Sequence, residues 1–337
     1  MYTRRTIRWS IILLYAWKYL IFYACYSALV VAAHHYLDWH FLQIPFLPIS
    51  AIAVAVAFYL GFKNNSSYDR LWEARRVWGS LVNASRTWGI QVLDFVNNKR
   101  NHAACGDIQL EEIHRRLIYR HIAFLNALRL QLRRPAYWEQ AYKTGQWLVE
   151  QEDEFHTKSL DKELQCYLPI EEVEQLVNNR NAATQLIRKQ SKDLEYLYNN
   201  GIIDSYHHVE MTRTLAEFYN QQSAAERIKS FPFPRQYAYF SSVFTWIFIL
   251  LLPFGLINEF QKMGEEFEWL VVPFHLLIAW VFNTMEIVGA SSENPFENSI
   301  NDVPITAICK TVEIDLREMV GEADLPPKPE PVHDILM

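Results

Sequence analysis

The chain has 337 residues, 32 of them Lys or Arg and 38 Asp or Glu, with half of all positions hydrophobic and 15% aromatic. These averages exclude a disordered chain, a collagen-like chain and a small disulfide scaffold. The distribution is far from average: residues 9–62, 236–258 and 269–285 supply 94 positions with only two charges, Lys18 and Asp38, whereas the other 243 positions carry 68. Such segregation points to a membrane part joined to a highly charged aqueous part. A net charge of −6 is too small to imply a nucleic-acid partner. Cys25, Cys105, Cys166 and Cys309 are scattered, without C-x-x-C or metal-ligand spacing. No disulfide framework, metal or cofactor is expected.

Arg4, Arg5 and Arg8 precede the first apolar run, Ser10–Ala33. That run holds Trp17, Lys18 and Tyr19 and has no small-residue cleavage site, so it reads as a retained span in which Lys18 snorkels. A second, short span is Phe46–Phe62, between the prolines Pro45 and Pro48 and the pair Gly61-Phe62. A local break is expected at Asn64-Asn65-Ser66-Ser67. Beyond it, Leu71, Ala74, Trp78, Leu81, Ser85, Trp88 and Val92 recur every three or four residues, which predicts a helix continuing into the aqueous part. Further helices are predicted at Glu111–Arg134, ending before Pro135, at Glu171–Asn200, and at Asp204–Lys229, with Gly201 as a C-terminal cap. Gln236–Asn258 is uncharged and long enough to cross ~30 Å of hydrocarbon. Trp269–Met285 makes a fourth span if Ile287, Val288 and Gly289 extend it past Glu286. Pro326, Pro327, Pro329 and Pro331 predict an extended or disordered tail. No segment alternates with period two for long, so strands are not expected.

The expected fold class is therefore an all-α membrane protein with four transmembrane helices per subunit and a large helical cytosolic region. The expected divisions are residues 1–62, 63–235, 236–293 and 294–337. Basic residues that flank the spans gather mainly on one side. Arg4, Arg5 and Arg8 lie before span one, Lys63, Arg70, Arg75 and Arg76 after span two, and Lys310 and Arg317 after span four. The connection His34–Pro45 has no Lys or Arg, and Glu259–Glu268 has Lys262 against Glu259, Glu265, Glu266 and Glu268. Both termini and the middle region are then cytoplasmic.

No H-E-x-x-H, P-loop, G-x-G-x-x-G or G-x-S-x-G motif occurs, so an enzyme is not expected. His114 and His121, seven apart on one face, read as solvated or interfacial. Adjacent His34-His35 and His207-His208 cannot share a helical face as metal ligands do. Glu111-Glu112 and Glu171-Glu172 read as complements to helix dipoles. Glu286 reads as a carboxylate at the cytoplasmic interface, since burial in lipid is costly. Span two is alanine-rich, with Ala51, Ala53, Ala55 and Ala57 permitting close helix approach. Its Val54, Phe58 and Phe62 fall at i, i+4 and i+8. Such a stripe either packs on neighbouring helices or, with several copies around an axis, lines a hydrophobic constriction that gates by dewetting.

The run Gly61-Phe62-Lys63-Asn64-Asn65-Ser66-Ser67-Tyr68-Asp69-Arg70-Leu71-Trp72-Glu73-Ala74-Arg75-Arg76 resembles the segment after the pore helix of bacterial bestrophin-like proteins. Glu293-Asn294-Pro295-Phe296 resembles that family's Asn-Pro-Phe signature beyond the last span. The resemblance implies a homopentameric ion channel in the bacterial inner membrane, with one central pore built from span two. Its partners would be other copies of the chain, the lipid bilayer and permeant ions. Carried over by position, the family's hydrophobic neck falls on Val54, Phe58 and Phe62, and its cytosolic aperture near Tyr206, in the turn Ile202–Tyr206. Animal members carry an acidic calcium clasp after Asn-Pro-Phe. Here Glu297-Asn298-Ser299-Ile300-Asn301-Asp302 has only two carboxylates, too few for the usual calcium ligand set.

Tangential Phe rings in the neck would present positive edges to an ion, which favours chloride or another anion. Acidic residues in the outer connection favour sodium if they ring the entrance. A membrane-anchored scaffold without conductance is the alternative of a different class, suggested by the size of the 63–235 region.

Overall fold

The structure is a computed structural model that describes residues 1–4, 6, 9–39, 41, 43–97, 107–134, 159–299, 301–332 and 334–336. Arg5, Arg8, Cys105, Pro135 and Ile300 lie outside the described residues. Helices account for the fold, and no strand occurs among the described residues beyond isolated bridges. In chain order they are α1 (Trp9–Leu37), α2 (Phe46–Phe95), α3 (Asp107–Arg133), α4 (Leu160–Leu164), α5 (Ile170–Val177), α6 (Ala182–Asn199), α7 (Ser205–Ser230), α8 (Arg235–Gln261), a 3-10 turn (Glu265–Leu270), α9 (Val271–Ser291) and α10 (Ile305–Met319). They form two compact units. An apolar unit comprises Arg4–Leu71 and Pro232–Asn294, and a charged unit comprises Met1–Thr3, Trp72–Phe231 and Pro295–Met337.

In the apolar unit, four helical stretches are long and apolar enough to cross a membrane: Ala16–Leu37, the start of Phe46–Phe95, Arg235–Gln261 and Glu265–Ser291. Their common core includes Tyr23, Val30 and Val31 of α1, Ile49, Val56 and Leu60 of α2, Phe248 and Leu252 of α8, and Ala279 of α9. Pro253 lies within α8 and has no N–H, so the Ile249 carbonyl four residues earlier loses its helical donor. His275 of α9 replaces it, its Nε2 lying 3.0 Å from Ile249 O. The Tyr26 hydroxyl of α1 donates to the adjacent Leu250 carbonyl at 2.8 Å. α8 thus continues through its proline, with the freed Ile249 carbonyl met by a side chain of α9. Gly264 sits at φ 135°, a left-handed region open to glycine, and turns the chain from α8 into the 3-10 segment.

The break expected at Asn64–Ser67 does not occur. α2 is one helix of 50 residues, and Lys63 and Ser67 continue its buried face. Weak helix formers cost tenths of a kcal/mol each, less than the packing of that face returns.

The charged unit is built around α3, whose residues Arg120 to Arg129 are all buried. α6 presents a buried face of Ala183, Leu186, Ile187, Gln190, Leu194 and Leu197 that recurs every three or four residues and packs on α3. Gln190 of α6 donates to the Leu117 carbonyl at 2.7 Å. Trp88 of α2 meets Phe218 of α7 edge-on at 6.2 Å, and Phe124 of α3 lies 5.7 Å from the same ring.

His121 is 1% exposed within this aromatic group, which corrects its reading as solvated. Its Nε2 lies 2.8 Å from Ser85 Oγ, and Ser85 Oγ donates to Leu81 O at 2.6 Å. Ser85 therefore has no proton left to give, and His121 must be the donor from Nε2. Burial pushes the imidazole down to about 3.

Two further expectations are corrected. The helix expected over Glu171–Asn200 is two helices, because Asn181 caps α6 by accepting from Thr184 N at 3.0 Å. Glu172 does more than complement a dipole: Arg120 grips it from Nε and Nη2 at 2.9 and 3.0 Å and also binds Asp193. Arg129 pairs with Glu163 at 2.7 Å. The tail runs extended from Pro326 and closes on the chain's first residues, with Thr3 N donating to Asp334 O at 2.8 Å.

Candidate functional site

The first half of α2 has two opposed faces. Ile49, Val56, Leu60, Lys63 and Ser67 are buried. Val54, Phe58 and Phe62 are 71%, 69% and 59% exposed in the protomer, and none belongs to its apolar core. A step of four residues advances about 40° around a helix, so the three side chains run as a slightly inclined row. The Phe58 and Phe62 rings meet edge to face, with centroids 4.6 Å apart and planes at 88°. That geometry lets one ring present its positive edge while the other presents its face.

Tyr206 belongs to the charged unit. It is not in a turn, as its sequence suggests, but is the second residue of α7, 73% exposed. Asp204 caps this helix by accepting from His207 N at 2.8 Å, which places Tyr206 in the first turn.

Immediately after Phe62, Lys63 turns inward. Its Nζ lies 2.7 Å from Glu286 Oε1 of α9, and Ser241 Oγ of α8 donates to Glu286 Oε2 at 2.6 Å. Their side chains are 2% and 12% exposed, so Glu286 is a paired carboxylate inside the unit. From the sequence, Lys63 reads as a flanking charge and Glu286 as an interfacial one. Each is the lone charge at the end of its own span, a signal for pairing that was available.

A second polar cluster joins α1 to the 3-10 turn. The Nδ1 atoms of His34 and His35 lie 2.5 and 3.2 Å from the two oxygens of Glu268, which is 1% exposed. Gln43 Nε2 approaches His34 Nε2 at 2.9 Å. Adjacent histidines do not share a helical face, but they can straddle one carboxylate. Glu268 is therefore not part of an exposed acidic ring. Among the described residues, no group of three or more His, Cys, Asp or Glu side chains is placed to hold a metal ion.

After α9 the Asn-Pro-Phe segment folds into a tight turn in which Phe296 and Asn298 adopt φ of 75° and 65°. Asp302 organises it. Oδ1 accepts from Phe296 N at 2.8 Å and Val303 N at 2.6 Å, while Oδ2 accepts from Asn298 N at 2.8 Å and from Arg133 at 3.0 Å. Glu297, the other carboxylate of the stretch, pairs with Lys229.

A family model described as bacterial/fungal bestrophin protein matches residues 4–318. The chain belongs to the bacterial and fungal bestrophin family. This bestrophin is 30% identical to the voltage-dependent anion channel-forming protein YneE of Salmonella typhi, over 83% of this chain and 79% of that one. It is 28% identical to a voltage-dependent anion channel-forming protein of Ralstonia nicotianae, over 91% of this chain and 87% of the relative. The crystal structure of a bacterial bestrophin homolog from Klebsiella pneumoniae has the same fold, with a TM-score of 0.75 at 22% identity, covering 90% of this chain and 98% of that one.

Proposed function

We propose that this bestrophin is a channel for chloride or other small anions, assembled as a homopentamer with five α2 helices around one pore. Val54, Phe58 and Phe62 form its hydrophobic neck, and Tyr206 lies at the aperture through the charged unit. The observation that carries this reading is the apolar row on α2, 59–71% exposed, on a helix whose opposite face is fully packed. Three large apolar side chains in line on a membrane helix face lipid, a partner surface or a shared dry constriction, and their match to the family's neck positions favours the last. The relatives, named as voltage-dependent anion channel-forming proteins, support an anion as the permeant species. The four candidate spans and the excess of Lys and Arg on one side support a multi-pass protein of the bacterial inner membrane with both termini in the cytoplasm.

Sodium selectivity within the same architecture is weakened by Glu268. It is one of the four acidic residues that favour sodium if they ring the entrance, and it is buried against His34 and His35. Reconstitution of the purified protein into planar bilayers under a tenfold NaCl gradient tests the proposal. The reversal potential should lie on the chloride side of zero. Phe58→Ala with Phe62→Ala should raise conductance. Silent bilayers from intact oligomers would refute the channel, and a sodium-side potential would refute the anion. Unchanged currents in the double variant would refute the neck.

A further inference from the structure

Phe62 and Lys63 are consecutive residues facing opposite environments, 59% and 3% exposed respectively. Lys63 is buried on the face that also carries Ile49, Val56 and Leu60. Glu286 binds it on one oxygen and Ser241 on the other, so a single carboxylate ties α2 to α8 and α9. The approach of α2 to α9 is tight. A Cβ on Gly289, three residues past Glu286, would lie 2.1 Å from Asn64 Oδ1 and 3.6 Å from Lys63 Cε. More charges face the same place. Glu293 is 6% exposed, and burial raises its carboxyl above the ordinary value while Lys63, Arg235 and Arg70 draw it down.

We propose that the Lys63–Glu286 pair is a specificity-determining device for the neck: it locks the rotation of α2 that turns Phe58 and Phe62 outward, and it masks a full positive charge beside Phe62. This deepens the channel reading and rests on it. A charge in a low-dielectric wall acts over many ångströms, whereas a close ion pair presents a dipole whose field decays faster. The close pair cancels most of the field of Lys63 behind the neck, while Glu293 lies among Arg235 and Arg70 nearby. Removing the carboxylate's charge uncovers one cation per subunit, and removing Lys63 uncovers one anion.

The test uses the full chain in bilayers under asymmetric NaCl, with reversal potential as the readout and thermal stability of the oligomer measured alongside. Glu286→Gln should raise the chloride-to-sodium permeability ratio roughly five- to tenfold. Lys63→Met should lower it by a similar factor, and the double variant should return to within about twofold of the wild type. A purely structural role would lower stability in the single variants without moving the ratio. Currents with the wild-type ratio in both single variants overturn the proposal, whereas a silent wild type removes the channel reading beneath it. If a single variant does not assemble, the exchanged pair Lys63→Glu with Glu286→Lys decides. It keeps both charges but moves the positive one from α2 to α9, so the ratio should fall, and an unchanged ratio overturns the proposal.

Discussion

The buried His121 makes the stability of the charged unit depend on pH in a defined window. The imidazole has an ordinary value of 6.5 in the unfolded chain and is pushed down to about 3 in the folded one. A base whose folded value is depressed favours the neutral folded state, so its contribution is complete above pH 6.5. It is lost as pH falls from 6.5 towards 3. Each pH unit crossed removes about 1.4 kcal/mol, so the loss at pH 5 is about 2 kcal/mol. His121→Leu removes this titration at similar volume. It forfeits the Nε2 bond to Ser85 Oγ, worth about 1 kcal/mol, but strands no donor, because Ser85 still donates to Leu81 O. Hydrogen–deuterium exchange in peptides from α3 provides the assay, comparing wild type and variant at pH 7.5 and pH 5.0. At pH 7.5 the variant should open several-fold more readily. Between the two pH values the wild type should lose about thirtyfold in protection beyond any change in the variant, the equivalent of 2 kcal/mol. Equal pH dependence in the two proteins would show that His121 is accessible to protons in the folded state and refute the argument.

Four other outcomes follow from the geometry. Arg120→Met leaves Glu172 and Asp193 without the guanidinium that bridges them, and should destabilise the charged unit by about 3 kcal/mol in chemical denaturation, the low end for a broken buried pair because both carboxylates keep some exposure. Gly255→Ala places a Cβ 2.6 Å from Ile49 Cδ1 and 3.1 Å from Phe46 Cδ2, so the purified protein in detergent should melt earlier, consistent with an overpacking cost of about 1–3 kcal/mol. Calcium or a chelator should leave the current unchanged, because the roughly four lone-pair positions of Asp302 already accept three backbone N–H groups and Arg133. Asp302→Asn should destabilise the Asn-Pro-Phe turn, with faster proteolysis near Phe296 as its readout.

What the sequence disclosed and what it withheld divide along physical lines. Composition placed the apolar stretches because lipid-compatible length and charge exclusion are local properties, and α8 and α9 lie where uncharged runs predict them. Helical spacing picked out Val54, Phe58 and Phe62 as one row but could not say which way the row faces, since that depends on what Ile49, Val56 and Leu60 pack against. Residues with weak helix propensity suggested an interruption at Asn64–Ser67 that packing overrides. The run Asn178 to Asn181 did interrupt a helix, because Asn181 found a cap partner in Thr184. Polar pairings were the least legible. His121 with Ser85, Glu268 with His34 and Lys63 with Glu286 join residues 36, 234 and 223 positions apart, and no periodicity encodes such distances.

The last of those separations has a consequence for biosynthesis. At about 5–20 residues per second, a ribosome needs roughly 11–45 s to travel the 223 positions from Lys63 to Glu286. Throughout that interval the ammonium stands at the end of a newly inserted helix with no carboxylate to meet it. Its place at the end of the apolar stretch rather than mid-span lets its flexible stem reach interfacial water meanwhile. Closure of the apolar unit is then a late event, timed by translation of the second helical pair, and an arrested chain ending before Glu286 should leave Lys63 open to amine-reactive labelling that the finished protein resists.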